Sequence, residues 1–358
     1  MEVIQVVKRF GLCGGMEEYV FRLSHELNRL GFHVRVLCEI QLTEEEEGVE
    51  VIKLGESIKK PRWLSHILFS RKVSNWVKQN KKVNQVVHSH ERISCHNVTT
   101  IHSTLFNFPK KGFPSFRKTI NEYLEKREVS SRNLRKIVPV SSIIADEIKE
   151  KFPIYSNLLM DPVAPGVIEI KISKKSFNPD QPTIGFMGKE WKRKGLPKVI
   201  EIWRELKTRG INVKLLLAGF PKGENLGIKT YERCDIKIVG HISQKEDFFG
   251  EIDLLLHPAR IEAYGMVVAE AMTLRVPVLC SNQCGAANDV INDHGQVLDY
   301  NCSDSEWANC ATSILKAKRP EKAFQRTWGA VSLEYARIYQ DLVKKKGGGT
   351  LKQNCDTG

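Results

Sequence analysis

A chain of 358 residues with 41% hydrophobic and 27% charged residues is long enough for two cores, and its composition excludes a disordered or fibrous protein for the bulk of it. Its 55 Lys and Arg against 42 Asp and Glu leave a net charge of +13, which implies an anionic partner: nucleic acid, an acidic membrane surface or a phosphorylated small molecule. Nine scattered cysteines without a CxxC pair, and no apolar run near the roughly 18 residues of a membrane span, predict a reduced cytoplasmic protein that is neither exported nor transmembrane, with association at a membrane surface left open.

In chain order, Glu2–Val7 reads as a strand, Glu17–Leu30 as an amphipathic helix with Tyr19, Leu23 and Leu27 at four-residue spacing, and Val34–Cys38 as the next strand. That βαβ unit predicts a parallel sheet. Short strands follow at Asn84–His88, Val98–His102 and Lys136–Val140, the last leading into a helix over Ile143–Lys151. Leu158–Gly166, with Pro162 and Pro165, marks a boundary. A second series has strands at Thr183–Met187, Val213–Ala218, Ile236–Val239, Asp253–His257, Val276–Cys280 and Gln296–Leu298, with helices over Leu196–Arg209 and Gly265–Leu274. The last apolar period, Trp328–Val343, predicts a helix that returns to the first domain. The tail, with its KKK and GGG runs, predicts disorder.

Three segments could carry chemistry. Gly14 and Gly15, between the first strand and helix, let backbone N–H groups approach a phosphate or sugar, as any plain βα turn would also allow. Gly185–Gly195 ends a strand with Lys189, Lys192, Arg193 and Lys194, cations that can neutralise a diphosphate or simply face solvent. His257–Met272 places Glu262 in a loop and Glu270 eight residues on, two turns into a helix whose N-terminal amides at Gly265, Met266 and Val267 form a second anion site. Ionised carboxylates are acceptors only and suit the hydroxyls of a sugar and a ribose.

The run HPARIEAYGMVVAEAMTLRVPVLCS resembles the E-x7-E signature of retaining glycosyltransferases of the GT-B fold, the large nucleotide-sugar family numbered four. GKEWKRKGL resembles that family's phosphate loop, and LCGGMEEYV followed by LGFHVRVLCE its N-terminal glycine loop and first βαβ unit. VVHSHE, TIHST, PVSS and APGV fall in place too, and the likeness extends to about residue 343, nearest to enzymes that add a hexose to the lipopolysaccharide core. It implies an α/β protein of GT-B architecture, two doubly wound Rossmann-like domains facing a central cleft. The acceptor domain would span 1–165 and the donor domain 166–325, with a returning helix at 326–343 and a disordered tail at 344–358. The implied activity is that of a hexosyltransferase, retaining and metal-independent, with a UDP-sugar favoured as donor and a saccharide or glycolipid of the cell envelope as acceptor.

Residue by residue, the resemblance puts Lys189 and Lys194 on the donor diphosphate, with Arg193 as helper, and Glu270 on the ribose. Glu262 and the amides of Gly265, Met266 and Val267 would face the hexose. Gly14 and Gly15 would approach from the other domain, and His102 would lie close to the donor sugar. Backbone around Gly240–Ser243 would meet the base. Neither a cofactor nor a divalent metal is implied, no DxD motif is present, and the HxH pair His88 and His90 reads as structural. Leaving-group stabilisation would then be electrostatic, with attack from the leaving group's own face and no covalent nucleophile.

Between residues 57 and 136, basic residues interleave with Trp63, Trp76, Phe106, Phe108, Phe113 and Phe116. That pattern suits an anionic glycolipid acceptor and peripheral contact with the anionic inner face of the cytoplasmic membrane. No RNP-like or helix-turn-helix pattern accompanies it, so nucleic acid is not expected. Two alternatives remain: a non-catalytic sugar-nucleotide-binding subunit, and a phosphorylase or epimerase on the same fold.

Overall fold

The computed structural model describes residues 1–44, 48–105, 116–168, 178, 180–221, 223, 225–228, 230–242 and 244–347. The chain divides into two compact units, one of Met1–Gly166 with Thr327–Gly358 and one of Val167–Arg326. Each is built on a six-stranded sheet whose pairings are all parallel, the α/β class that the alternation of strands and helices implied.

In the N-terminal unit the elements run β1 (Glu2–Val6), β2 (Arg9–Phe10), α1 (Gly15–Arg29), β3 (His33–Cys38), β4 (Ile40–Gln41), β5 (Val49–Lys53), α2 (Arg62–Gln79), β6 (Gln85–Ser89), β7 (Val98–Ile101), α3 (Phe116–Val129), β8 (Lys136–Pro139) and α4 (Ser142–Lys151). The sheet order is β5-β3-β1-β6-β7-β8, with β2 and β4 as a small separate pair. Strand β1 is flanked by β3 and β6, Glu2 standing beside both His33 and Gln85. The chain reverses its direction of winding between β1 and β6, and in open parallel sheets that switch point is where the strands' carboxyl ends leave room for a ligand. His90 follows β6 and His102 follows β7 at this end.

The C-terminal unit repeats the plan with β9 (Thr183–Met187), α5 (Leu196–Thr208), β10 (Lys214–Ala218), β11 (Ile236–Gly240), α6 (Lys245–Glu251), β12 (Leu254–His257), α7 (Met266–Thr273), β13 (Val278–Ser281), β14 (Gly295–Leu298) and α8 (Asp304–Lys316). Its order, β11-β10-β9-β12-β13-β14, puts the switch between β9 and β12, with Leu255 beside Gly185. The loops that follow those two strands are the two segments singled out for chemistry. Ile184, Phe186, Leu254 and Leu256 from these strands bury against Trp203 and Trp307.

Helix α9 (Trp328–Gly347) belongs to the N-terminal unit, where it packs along α1 and buries Val331, Tyr335, Ile338, Tyr339 and Leu342. It runs past 343, taking Lys344–Gly347 into the helix; residues 348–358 of the expected tail lie outside the described residues.

Candidate functional site

In the C-terminal unit the basic loop and the loop after β12 are locked together by backbone. Gly195, at φ +89°, caps α5 in the left-handed region, and a Cβ there would overlap the Pro258 carbonyl. The Arg260 N–H donates to the Arg193 carbonyl at 3.0 Å, and Arg193 Nη1 donates to the Ile261 carbonyl at 2.5 Å. Two cations then face one carboxylate: Arg193 Nη1 lies 3.2 Å and Lys194 Nζ 3.3 Å from Glu262 Oε2. That oxygen is buried and meets both at ion-pair distance without a hydrogen bond to either. Lys189 is exposed on the same loop.

Gly265, at φ +99°, caps α7, and a Cβ there would run into Cys284 Sγ. Helix α7 therefore starts at Met266, and its first amides, those of Met266 and Val267 among them, have no helical partner by position. Glu270 lies just over one turn into α7, rather than the two expected, because half of its eight-residue spacing from Glu262 is taken up by the loop and cap that precede Met266. It is buried and paired with Lys245 of α6. The structure thus groups Arg193, Lys194 and Glu262 directly, and sets Gly265, Met266, Val267 and Glu270 on the element that follows.

Several neighbours escaped the sequence reading. Lys245 opens a seven-residue helix too short to show a period. His257 is fully buried, its ring near-parallel to Phe186, and burial holds it well below the usual histidine range, with the charges of Lys194 and Arg193 adding to the effect. The Tyr264 hydroxyl donates to Asp289 Oδ2 at 2.9 Å, and Cys284 Sγ donates to the Tyr264 carbonyl at 3.1 Å, so the turn between the two glutamates is fastened from two sides. A signal for these existed only in tertiary structure. Ser243, in the segment expected to meet the base, lies outside the described residues.

In the N-terminal unit Gly14 caps α1 with extended backbone, and the space a Cβ would need is taken by the Glu17 carboxylate, itself paired with Arg9. A carboxylate of the chain thus stands at the helix N-terminus where the sequence suggested an incoming phosphate; Gly15 has open space around it. His102 Nε2 lies 2.8 Å from His90 Nδ1, and burial pushes His102 down to about 3. His88 and His90 are likewise held by protein partners. A cavity of about 1090 Å³ opens beside them, lined by His102, His90, Glu91, His66, Arg62 and Arg92 among others. Burial pushes Glu91 up to about 7 and His66 down to about 4.

Of the aromatics read as a membrane-facing set, Trp76 instead packs against the core of Ile4, Val6, Phe69 and Val73. Trp63 and Phe116 meet edge to face, with Phe116 72% exposed. Phe106, Phe108 and Phe113 lie outside the described residues. Among the described residues no helix is long and apolar enough to cross a membrane.

Two parallel, doubly wound units of this kind define the GT-B class of proteins, and comparison with known proteins agrees. Residues 167–327 match the family described as Glycosyl transferases group 1, and residues 13–158 match Glycosyltransferase Family 4. Between them the two models take in most of the chain, one in each unit, and the fold is that of GT-B glycosyltransferases such as WaaG. The chain is 30% identical over 118 residues to the capsular polysaccharide biosynthesis glycosyltransferase CapM of Staphylococcus aureus, covering 32% of this chain and 31% of CapM. It is 29% identical over 193 residues to the lipopolysaccharide glucosyltransferase WaaG of Escherichia coli K12, covering 53% of this chain and 50% of WaaG. These alignments thus span half or less of each relative's length. The crystal structure of WaaG, a glycosyltransferase involved in lipopolysaccharide biosynthesis, superposes with a TM-score of 0.74 at 19% identity, covering 97% of this chain and all of that one. That of Anabaena HepE, in complex with UDP and glucose, does so with a TM-score of 0.63 at 14% identity, covering 97% and 99%.

Proposed function

We propose that this protein is a retaining, metal-independent hexosyltransferase that takes a UDP-sugar as donor and an anionic glycolipid or saccharide of the cell envelope as acceptor. The observation that carries the donor side is the convergence of Arg193 and Lys194 on Glu262 beside the N-terminus of α7. A diphosphate entering there meets fixed cations and helix amides, which stabilise the negative charge that grows on the leaving group as the anomeric bond breaks. Lys189 and Arg193 assist Lys194, and the ion pairs to Glu262 position Arg193 and Lys194 for the incoming diphosphate. Glu262 turns to the hexose once phosphate takes over the cations, and Glu270, positioned by Lys245, accepts the ribose hydroxyls. Support for UDP comes from the HepE complex, and support for an envelope glycan from CapM, a capsular polysaccharide biosynthesis glycosyltransferase, and WaaG, a lipopolysaccharide glucosyltransferase.

On this reading Lys194→Ala and Glu270→Ala each lower kcat by about 100-fold or more, the usual cost of removing a group that acts on developing charge. Transfer activity survives exhaustive chelation. Two fully active variants would overturn the donor site, and a chelator-sensitive enzyme would overturn metal independence.

On the acceptor side, the cavity of the N-terminal unit has Arg62 and Arg92 on its wall and suits an acceptor bearing negative charge. The protein acts in the cytoplasm at the inner membrane face, where its basic first unit meets anionic lipid. It therefore sediments with anionic vesicles at low salt and is released as salt rises, because exposed charges are screened within about 10 Å at 0.1 M. Sedimentation with neutral vesicles regardless of salt would contradict this.

A further inference from the structure

The N-terminal unit buries a chain of hydrogen-bonding groups that starts at a main-chain carbonyl and ends on His102. The Tyr19 hydroxyl donates to the Val163 carbonyl at 3.1 Å and lies 3.0 Å from the Tyr335 hydroxyl. Tyr335 lies 2.7 Å from Thr100 Oγ1, which in turn lies 2.8 Å from His88 Nε2. Across that ring, His88 Nδ1 is 2.6 Å from the Tyr339 hydroxyl, to which Gln5 Nε2 donates at 3.3 Å. Gln5 Oε1 is 2.8 Å from His90 Nε2, and His90 Nδ1 is 2.8 Å from His102 Nε2.

A carbonyl oxygen only accepts and a hydroxyl has one proton to give, so the direction of every bond follows from the first. Tyr19 gives its proton to Val163 and accepts from Tyr335. Tyr335, its proton used, accepts from Thr100, and Thr100 accepts from a protonated His88 Nε2. Burial keeps His88 and His90 neutral at ordinary pH, holding both well below the usual histidine range. His88 Nδ1 is then a lone pair that takes the Tyr339 proton. Tyr339 accepts from the Gln5 amide nitrogen, which turns the Gln5 oxygen toward His90 and requires a proton on His90 Nε2. His90 Nδ1 is left as a lone pair, so the proton between the last two rings sits on His102 Nε2.

We propose that this polarised chain fixes His102 as the Nε2–H tautomer, leaving Nδ1 as a standing acceptor for a substrate hydroxyl, with Gln5, His90 and Tyr339 as its positioning residues. The hydroxyl contact rests on the reading of His102 as a sugar-facing group given above; the tautomer does not. His102, pushed down to about 3, does not act as a proton-taking base here. It orients a hydroxyl, and the Val163 carbonyl at the far end of the chain decides which nitrogen does so.

The test is nuclear magnetic resonance of the full-length protein labelled with nitrogen-15 histidine, with the His102 signals assigned from His102→Gln. The wild type is expected to show a pyridine-like Nδ1 and a protonated, pyrrole-like Nε2 that do not titrate between roughly pH 5.5 and 8. An Nδ1-protonated ring, or one that titrates in that range, overturns the tautomer. Tyr339→Phe removes the acceptor that orients Gln5, so the His102 signals are expected to become those of mixed tautomers, with kcat/KM down roughly ten-fold. Unchanged His102 shifts in folded Tyr339→Phe overturn the positioning role. Full transfer activity in His102→Gln overturns the hydroxyl contact, while the nitrogen shifts of the wild type decide the tautomer independently of it.

Discussion

The sites around Glu262 and Glu270 in one unit and the chain that ends on His102 in the other handle buried polarity in opposite ways. At the switch point of the C-terminal sheet, full charges oppose one another: Arg193 and Lys194 against Glu262, and Lys245 against Glu270. At that of the N-terminal sheet, neutral imidazoles, hydroxyls and an amide are joined head to tail. Opposed charges can be re-partnered when a charged ligand arrives, because a phosphate can replace a carboxylate on the same cations. A directed neutral chain has no such freedom, since turning one member leaves a buried donor or acceptor without its partner at a cost of about 1–3 kcal/mol. The first arrangement suits a site that exchanges anions, the second a site that must present one fixed acceptor.

The largest blow to this contrast would come from removing α9. Six large side chains of α9, Trp328, Val331, Tyr335, Ile338, Tyr339 and Leu342, are buried. At about 1.5–3 kcal/mol each, their loss is about 9–18 kcal/mol, comparable to the whole stability of a domain at about 5–15 kcal/mol. A chain ending at Arg326 should therefore lose amide protection across Met1–Gly166 and keep it across Val167–Arg326. Equal protection of both units in that truncated chain would show that the neutral network stands without its tyrosines.

A smaller effect is expected in the charged unit. Gly195→Ala forces a side chain into the left-handed region and against the Pro258 carbonyl, a strain of about 1–3 kcal/mol. Its melting temperature should fall, and the proposed donor site should loosen as the basic loop parts from the loop after β12. A variant with wild-type stability and activity would mean that the two loops are not held by this contact.

The smallest effect sharpens the comparison through pH. In the N-terminal unit burial lowers His66, His88, His90, His96 and His102, whereas His257 is the lowered histidine among the described residues of the C-terminal unit. A histidine depressed in the folded state is protonated first in the unfolded chain, so its contribution is complete above about pH 6.5 and is lost as pH falls below that value. Glu91 and Glu128, pushed up to about 7 by burial, act in the opposite sense: stability falls as pH rises from their unfolded value through 7. The histidines outnumber them, so acidification from neutral pH should weaken the N-terminal unit more than the C-terminal one, as hydrogen exchange corrected for intrinsic rates can show. Glu128→Gln removes part of the opposing slope and should steepen the loss. An equal response of the two units would contradict the account.

Much of this fold was legible because a parallel sheet writes itself as β-branched runs such as Val34–Cys38, and α1 and α5 present clean apolar faces. Helices α2 and α3 were missed for a physical reason. Along α2 the buried face carries Ser65 and Ser70 beside Phe69 and Val73. Along α3 the glutamates at 125 and 128 are buried, one paired with Arg92 and Lys151 and the other accepting from Thr99 Oγ1. Polar residues on an inward face erase the period that marks a helix. Helix α8 opens with a full capping box, Ser303 with Glu306, a helix start that is written locally in the sequence. In the candidate site, Lys194, Glu262 and Glu270 stood out because their spacing is local. The partners Lys245 and Tyr339 come from elements far off in sequence, and only folding brings them in.

The return of α9 also sets an order of events during synthesis. The ribosome delivers β1 with Gln5 and α1 with Tyr19 first, then the whole of residues 167–326, and only afterwards Tyr335 and Tyr339. At about 5–20 residues per second, the half-built first unit waits on the order of ten to thirty seconds for the helix that closes it. The second unit, contiguous in the chain, can fold during that interval. The half of the protein that emerges first is thus the last to become native, and its exposed sheet face is what a chaperone would meet on the nascent chain.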